Sequence, residues 1–255
     1  MIDNLSNQKK SQQRISKILS RLGICSRRQA EQLVKDGKIS IRGQVLRDFV
    51  IKNKDIGSIK VNGKVLPKIM PTRIWRYYKP INLLTSNRSE NGRLTIFDNL
   101  PKEIPRVVKV GRLDINSEGL LLLTNNGEVA RNLELPSTKW ERNYRVRVYG
   151  RINKDIFKKL INGITIDGFH YKPIRIHIEK EGKKNSWLRV ILTEGKNREI
   201  RKIMNHIGLK VNRLIRTRFG PFNLDTLKPG EIKEVPKKLT DNILKNKSIV
   251  TPDQA

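Results

Sequence analysis

Residues 108–131 read VKVGRLDINSEGLLLLTNNGEVAR. An apolar, strand-like run ends at Gly111, Ser117-Glu118-Gly119 reads as a turn, and four leucines, Leu120–Leu123, make a second strand too apolar for a surface. Asp114 lies between them, two residues after Arg112. A loop fastened at both ends to buried strands is where a rigid scaffold commonly holds a reactive side chain. The plain alternative is an ion pair with Arg112 or Arg131. No rival catalytic set competes, since the sequence offers neither a serine–histidine–aspartate order nor a cysteine–histidine pair.

Outside this stretch the chain is strongly basic. Its 255 residues are 36% hydrophobic and 31% charged, and 54 Lys+Arg against 24 Asp+Glu leave a formal charge of +30. Such a field draws in polyanions, so nucleic acid is the expected partner and an anionic membrane surface the alternative. No apolar run approaches the roughly 18 residues of a membrane-spanning helix. MIDNLSNQKKSQQR has no apolar stretch of the secretory kind. A lone cysteine, Cys25, excludes internal disulfides and fits a reducing cytoplasm. His170, His177 and His206 are scattered without carboxylate or thiol company, and no glycine-rich phosphate loop is present, so neither metal nor cofactor is expected.

The order of local signals divides the chain. Residues 1–12 are polar and expected to be disordered. Ile15, Ile18, Leu19 and Leu22 recur at helical spacing up to Gly23, and Ser26 with Gln29 reads as a capping box for a second helix ending near Gly37. KISIRGQVL and SIKVNGKVL read as two hairpins, the second on Asn62-Gly63. Together these make a small α+β module over 13–69, followed by a linker at 70–72. From 73 to 237 strand-like runs (RIWRYY, RVVKV, LLLLT, YRVRVYG, GITID, KPIRIHIEK, SWLRVILTEG, EIKEV) outnumber helical ones (GEVARNLE, KDIFKKLIN, NREIRKIMNHIG) and do not alternate with them regularly. The fold class is therefore α+β, with a mixed, mainly antiparallel sheet and flanking helices. Residues 238–255 read as a tail.

The first module carries Lys17, Arg21, Arg27, Arg28, Lys35 and Arg42, spaced to allow a cationic face for phosphates. RISKILSRLGICSRRQAEQLVKDGKISIRGQVL resembles the S-four-type RNA-binding domain, although Arg42-Gly43 stands where that family usually has Asn-Gly. The resemblance implies a grip on structured RNA and no particular reaction.

VGRLDINSEGLLLLTNNGEVARNL is similar to the central motif of the RsuA/RluB family of ribosomal RNA pseudouridine synthases, which also carry an S-four-type domain. Lys79-Pro80, WERNYRVRV (140–148), EGKNREIRKIMNHIG (194–208) and RLIRTRFGPFNLDTLKPGEIKEV (213–235) extend the match, so it covers about 13–237. The resemblance implies that Asp114 is the catalytic aspartate, Tyr144 the active-site tyrosine and Arg201 the cation that keeps the carboxylate ionised. It also implies a cofactor-independent isomerisation. Lys79, Arg112, Lys196 and Arg198 are expected phosphate contacts, with Arg213, Arg216 and Arg218 as further candidates. Asn82 replaces a usual glycine after Lys79-Pro80, which calls for an unusual backbone conformation. Asn197-Arg198-Glu199, in place of a His-Gln pair, resembles the large-subunit branch. The expectation is a cytoplasmic, monomeric enzyme acting on large-subunit (23S) ribosomal RNA; the alternatives are small-subunit (16S) RNA, tRNA, or a non-catalytic ribosome assembly factor.

Overall fold

Ser26 accepts a hydrogen bond from the Gln29 backbone nitrogen at 3.2 Å while the Gln29 side chain accepts from the Ser26 nitrogen at 2.9 Å, the reciprocal box expected from the sequence. It starts helix α2 (Arg27–Lys35), which follows β1 (Gln12–Arg14) and α1 (Ile15–Arg21). Ile15, Ile18, Leu19, Ala30 and Val34 close the core between these helices and a four-stranded antiparallel sheet. That sheet comprises β2 (Ile39–Ile41), β3 (Gln44–Val45), β5 (Ile59–Val61) and β6 (Lys64–Val65), in the order β3-β2-β5-β6. Its hairpins turn on Arg42-Gly43 (φ 50° and 85°) and Asn62-Gly63 (φ 49° and 75°), so the arginine adopts the same left-handed geometry as the asparagine. β4 (Val50–Lys52), of which only Ile51 is buried, pairs with β1.

This computed structural model describes residues 11–87, 89–135 and 138–245. It falls into two compact units. One runs to Thr72 and takes in the short pieces Pro105–Val107 and Asn125–Gly127; the other holds the remainder. Of the expected disordered start, residues 1–10 lie outside the described residues, whereas Gln12 opens β1.

The second unit is built on β7 (Ile74–Lys79), β8 (Val108–Val110), β9 (Glu118–Thr124), β10 (Arg142–Tyr149), β11 (Ile164–Ile166), β12 (Phe169–Tyr171), β13 (Ile174–Lys180), β14 (Asn185–Leu192), β15 (Lys210–Phe219), β16 (Phe222–Asn223) and β17 (Ile232–Glu234). Its helices are α3 (Gly127–Glu134), α4 (Lys154–Lys159), α5 (Glu199–His206) and α6 (Lys237–Lys245). The main sheet runs β13-β14-β10-β15-β9-β7-β17, with β16 on β15 and β8 on β9. Only β15 and β9 pair in parallel among these contacts, so the sheet is mixed and mainly antiparallel. All seven residues of β9 are buried, which explains a run of leucines in place of alternation.

Two features depart from the sequence reading. β15 crosses the middle of the sheet, yet KVNRLIRTRF carries too many cations to read as a central strand. Two of those cations bond within the fold: Arg213 pairs with Glu118, and Arg216 Nε donates to the Leu120 carbonyl at 2.7 Å. The second is the tail, whose first part folds as α6. Thr240 and Ile243 are buried, and Leu239 and Leu244 pack on the same core, so KKLTDNILK is amphipathic at helical spacing. Residues 246–255 lie outside the described residues.

Candidate active site

Gly111 (φ 69°) turns the chain out of β8, and β9 begins at Glu118; Glu118 and Gly119 belong to the strand and not to a turn. Within the connecting loop nearly every carbonyl is held from outside. Thr85 Oγ1 donates to Leu113 at 2.6 Å, the Asn82 nitrogen to Ile115 at 2.9 Å, Arg201 Nη2 to Asn116 at 2.8 Å, and Lys79 Nζ to Ser117 at 2.9 Å. The Asp114 carbonyl accepts from the Ser117 nitrogen at 2.9 Å. What remains is the half-buried Asp114 carboxylate, which makes no hydrogen bond or ion pair among the described residues. The pairing with Arg112 or Arg131 allowed by the sequence does not form.

Lys79 corrects another expectation. Its side chain is 0% exposed, so it is no surface contact for phosphate. Its ammonium binds the carbonyls of Pro80, Ile115 and Ser117 and ties the end of β7 to the loop. Burial pulls its pKa down to about 8, although Asp114 and Glu118 oppose the shift. Between pH 8 and its ordinary 10.5 the unfolded chain therefore binds more protons at this site than the fold does. Stability rises with pH through that window, by up to about 1.4 kcal/mol per pH unit. Lys79→Met lacks this rise, which denaturant titrations of both chains across pH 7–11 measure as a difference in slope. Asn82, beside it, holds φ at 68°, the left-handed backbone that its replacement of glycine called for.

Glu118 carries the other anchor. Arg213 grips its carboxylate at 2.6 and 3.1 Å, and the Tyr78 hydroxyl donates to it at 2.9 Å. Tyr78 is pushed up to about 12, first by burial and then by Glu118. Despite burial, the bonds from Arg213 and Tyr78 hold Glu118 below the usual carboxylate range. Gly119 (φ 100°) follows at the parallel junction with β15. A Cβ there would lie 2.8 Å from the Arg216 nitrogen and closer still to its carbonyl oxygen. Nothing near Glu118 in the chain marks it as an anchor, because its partner Arg213 is 95 residues away.

Register places the other two expected residues. Gly119 of β9 lies opposite Arg216 of β15, and Arg216 opposite Tyr144 of β10, so Tyr144 lies two strands from the loop's exit, across β15. Tyr144 points inward with Val146 and Val148 and is 8% exposed, and its hydroxyl has no hydrogen-bond partner among the described residues. Arg201, on α5, makes no ion pair with Asp114; it binds the carbonyls of Asn116 and Val211 and acts on Asp114 through space. Burial lowers its proton affinity, Arg198 lowers it further, and Asp114 raises it. Among the described residues six buried side-chain polar atoms lack partners, and five lie on these elements: Ser117 Oγ, Asn143 Oδ1, Glu199 Oε1, Arg201 Nε and Arg216 Nη2. Such atoms are rare in folded proteins, where buried polar groups are normally hydrogen-bonded.

The remaining expected phosphate contacts divide by their surroundings. Arg27, Arg28, Lys35 and Arg112 are exposed; Lys17 is half-buried. Arg42 is exposed but paired with Asp55 at 2.8 Å. Arg21 is half-buried and donates to the Met70 carbonyl at 2.6 Å and the Asn125 carbonyl at 3.3 Å, so it also serves the fold of its own unit. Lys196 binds the His170 carbonyl and lies 3.4 Å from Glu194, whereas Arg198 is exposed at φ 52°. Arg216 is buried and therefore, like Lys79, no surface contact; Arg218 is exposed.

Comparisons with known proteins agree with this layout. Residues 73–206 match the RNA pseudouridylate synthase family and residues 13–48 the S4 domain. An RNA pseudouridine synthase of Rickettsia typhi is 46% identical over 92% of this chain and 96% of its own length. "Ribosomal large subunit pseudouridine synthase B" of Buchnera aphidicola (from Acyrthosiphon pisum) is 40% identical, covering 91% of this chain and 96% of its own, and that of Yersinia pestis 39%, covering 83% and 69%. A crystal structure of a pseudouridylate synthase superposes with a TM-score of 0.62 over 89% of this chain and 98% of that one, at 22% identity, and so speaks for the fold. With an S4 domain ahead of the matched catalytic domain and relatives similar along nearly its whole length, the chain belongs to the RNA pseudouridine synthase family, of the RsuA/RluB type.

Proposed function

We propose that this chain isomerises one uridine of large-subunit ribosomal RNA to pseudouridine, with Asp114 as the reacting group and no cofactor. The observation that carries this reading is the state of Asp114: a carboxylate with no hydrogen bond or ion pair among the described residues, on a loop whose neighbouring carbonyls at 113, 115, 116 and 117 are all bound. An acid kept only for structure would have a partner. Relatives named for the large ribosomal subunit support that RNA as the substrate.

The reaction breaks the N1–C1′ bond, turns the ring, and joins C5 to C1′; the C5 hydrogen leaves as a proton while N1 gains one. Atoms and electrons balance within the nucleoside, so no reagent is consumed. A carboxylate serves by trapping the ribose or the base covalently while the ring turns. Since the ring cannot turn inside a stack, the uridine is extruded, at a cost of a few kcal/mol. Arg201 and Lys79 fix the loop and place positive charge near Asp114. Tyr144 offers a ring to the extruded uracil and a free hydroxyl for the proton on C5. Tyr144→Phe keeps the ring and loses the hydroxyl; it is expected to bind RNA normally and to slow product formation by about 10²–10⁴-fold, measured in single-turnover assays.

The enzyme is proposed to work in the cytoplasm as a monomer; no helix among the described residues is long and apolar enough to cross a membrane. The test is incubation of unmodified large- and small-subunit ribosomal RNA and tRNA transcripts with the protein, followed by pseudouridine mapping. A single new site in the large-subunit RNA is expected. Product only in the other RNAs reassigns the substrate, and none anywhere leaves a binding protein.

A further inference from the structure

The β11–β12 hairpin has no part in the chemistry above. Its turn, Asp167-Gly168, has φ of 50° and 76°, the left-handed pair of a tight hairpin. Ile166 and Tyr171 are buried, but Phe169, beside the turn, is 64% exposed. Its backbone is nevertheless firmly held. The Lys172 nitrogen donates to Glu194 at 2.7 Å, the Lys196 ammonium to the His170 carbonyl, and a Cβ on Gly163 would lie 2.6 Å from the Tyr171 oxygen. A large aromatic ring on a fixed backbone has been left in solvent, where its burial would have stabilised the fold.

The surroundings are cationic. Lys202 Nζ lies 5.7 Å from the centre of the Phe169 ring and Lys196 Nζ 5.3 Å from that of Tyr171. Arg198, close to Lys196 and Lys202 in sequence, is exposed, with its backbone in the left-handed region. Asp167 is the one acid of the turn. Helix α5 links this surface to the reacting loop, because consecutive residues serve both: Arg201 binds the Asn116 carbonyl and Lys202 reaches Phe169. An exposed ring among cations matches a ligand that has a flat π-face and a negative backbone.

We infer that Phe169 is a stacking platform for a second, unpaired nucleobase of the substrate RNA, with Lys202, Lys196 and Arg198 flanking its backbone. This rests on the chain acting on RNA as proposed above. Extruding the target uridine leaves a neighbouring base without its stacking partner, and Phe169 supplies a replacement for any base, since every base has a π-face.

Equilibrium binding of the full chain to a short oligocytidylate strand and to a fully paired RNA duplex tests this. Neither measurement needs turnover, and the strand contains no uridine. Phe169→Ala is expected to weaken single-strand binding about 5- to 100-fold, the range of one base–aromatic stack. Duplex binding should stay within about twofold, and Phe169→Trp should restore the single strand. Unchanged single-strand affinity in Phe169→Ala overturns the inference and leaves the ring to a protein partner. Equal losses for strand and duplex, or no rescue by Trp, also overturn it by assigning the ring a structural part. A parent chain that makes no pseudouridine in any transcript would sink the activity proposed above while leaving this binding result readable.

Discussion

Asp114→Asn is expected to bind RNA as the parent does and to make no detectable pseudouridine, a loss of about 10⁴-fold or more. Asparagine keeps the size and shape of the side chain but is no nucleophile. The fold has little reason to notice the change. The Asp114 carboxylate holds no hydrogen bond or ion pair among the described residues, and the loop is fixed by its backbone carbonyls. Removing the charge also relieves no buried repulsion, since the groups that sense Asp114 are the cations Lys79 and Arg201. Melting temperature and RNA affinity are the controls. An Asp114→Asn chain that still isomerises uridine at a tenth of the parent rate or more would place the chemistry elsewhere.

Gly119→Ala is expected to have the largest effect on the fold. Its φ of 100° is a conformation that L side chains rarely adopt, and the added Cβ would meet the backbone of Arg216 on the neighbouring strand. Backbone atoms in the middle of a sheet cannot rotate aside as a side-chain end can. Strain of about 1–3 kcal/mol and overpacking of similar size add up to a large share of an ordinary domain's stability of about 5–15 kcal/mol. The parallel contact between β9 and β15 would separate at the point where Glu118 is held by Arg213 and Tyr78. Denaturation midpoints should fall sharply, and activity should fall with them even below the midpoint, because the Asp114 loop loses its exit anchor. An alanine chain as stable as the parent would show that the junction tolerates a side chain.

Short-range signals were the legible part of this fold. Ser26 with Gln29, Asn62-Gly63 and the segment Gly127–Glu134 form the elements their local chemistry demands, since each turn or cap is satisfied by residues a few positions away. β15 was illegible because its arginines look like surface charge until their distant partners, Glu118 and the Leu120 carbonyl, are known. Lys79 was misjudged for the same reason: a lysine reads as exposed unless several carbonyls converge on it, and two of its three come from the Asp114 loop. At the site, Asp114 stood out as an acid between two apolar strands in a basic chain. The cation expected to pair with it acts instead from a distance, holding the loop by a carbonyl. Composition also underrated α6, whose apolar residues are few but fall on one face.

The proposed part of Asp114 in isomerising a uridine of large-subunit ribosomal RNA is open to test in cells. Its most direct test is pseudouridine mapping of total ribosomal RNA from cells in which the Asp114→Asn chain replaces the parent. One pseudouridine in the large-subunit RNA should revert to uridine while the small-subunit pattern is unchanged. A complete parental pattern, with every large-subunit site still modified, would rule out that role for Asp114.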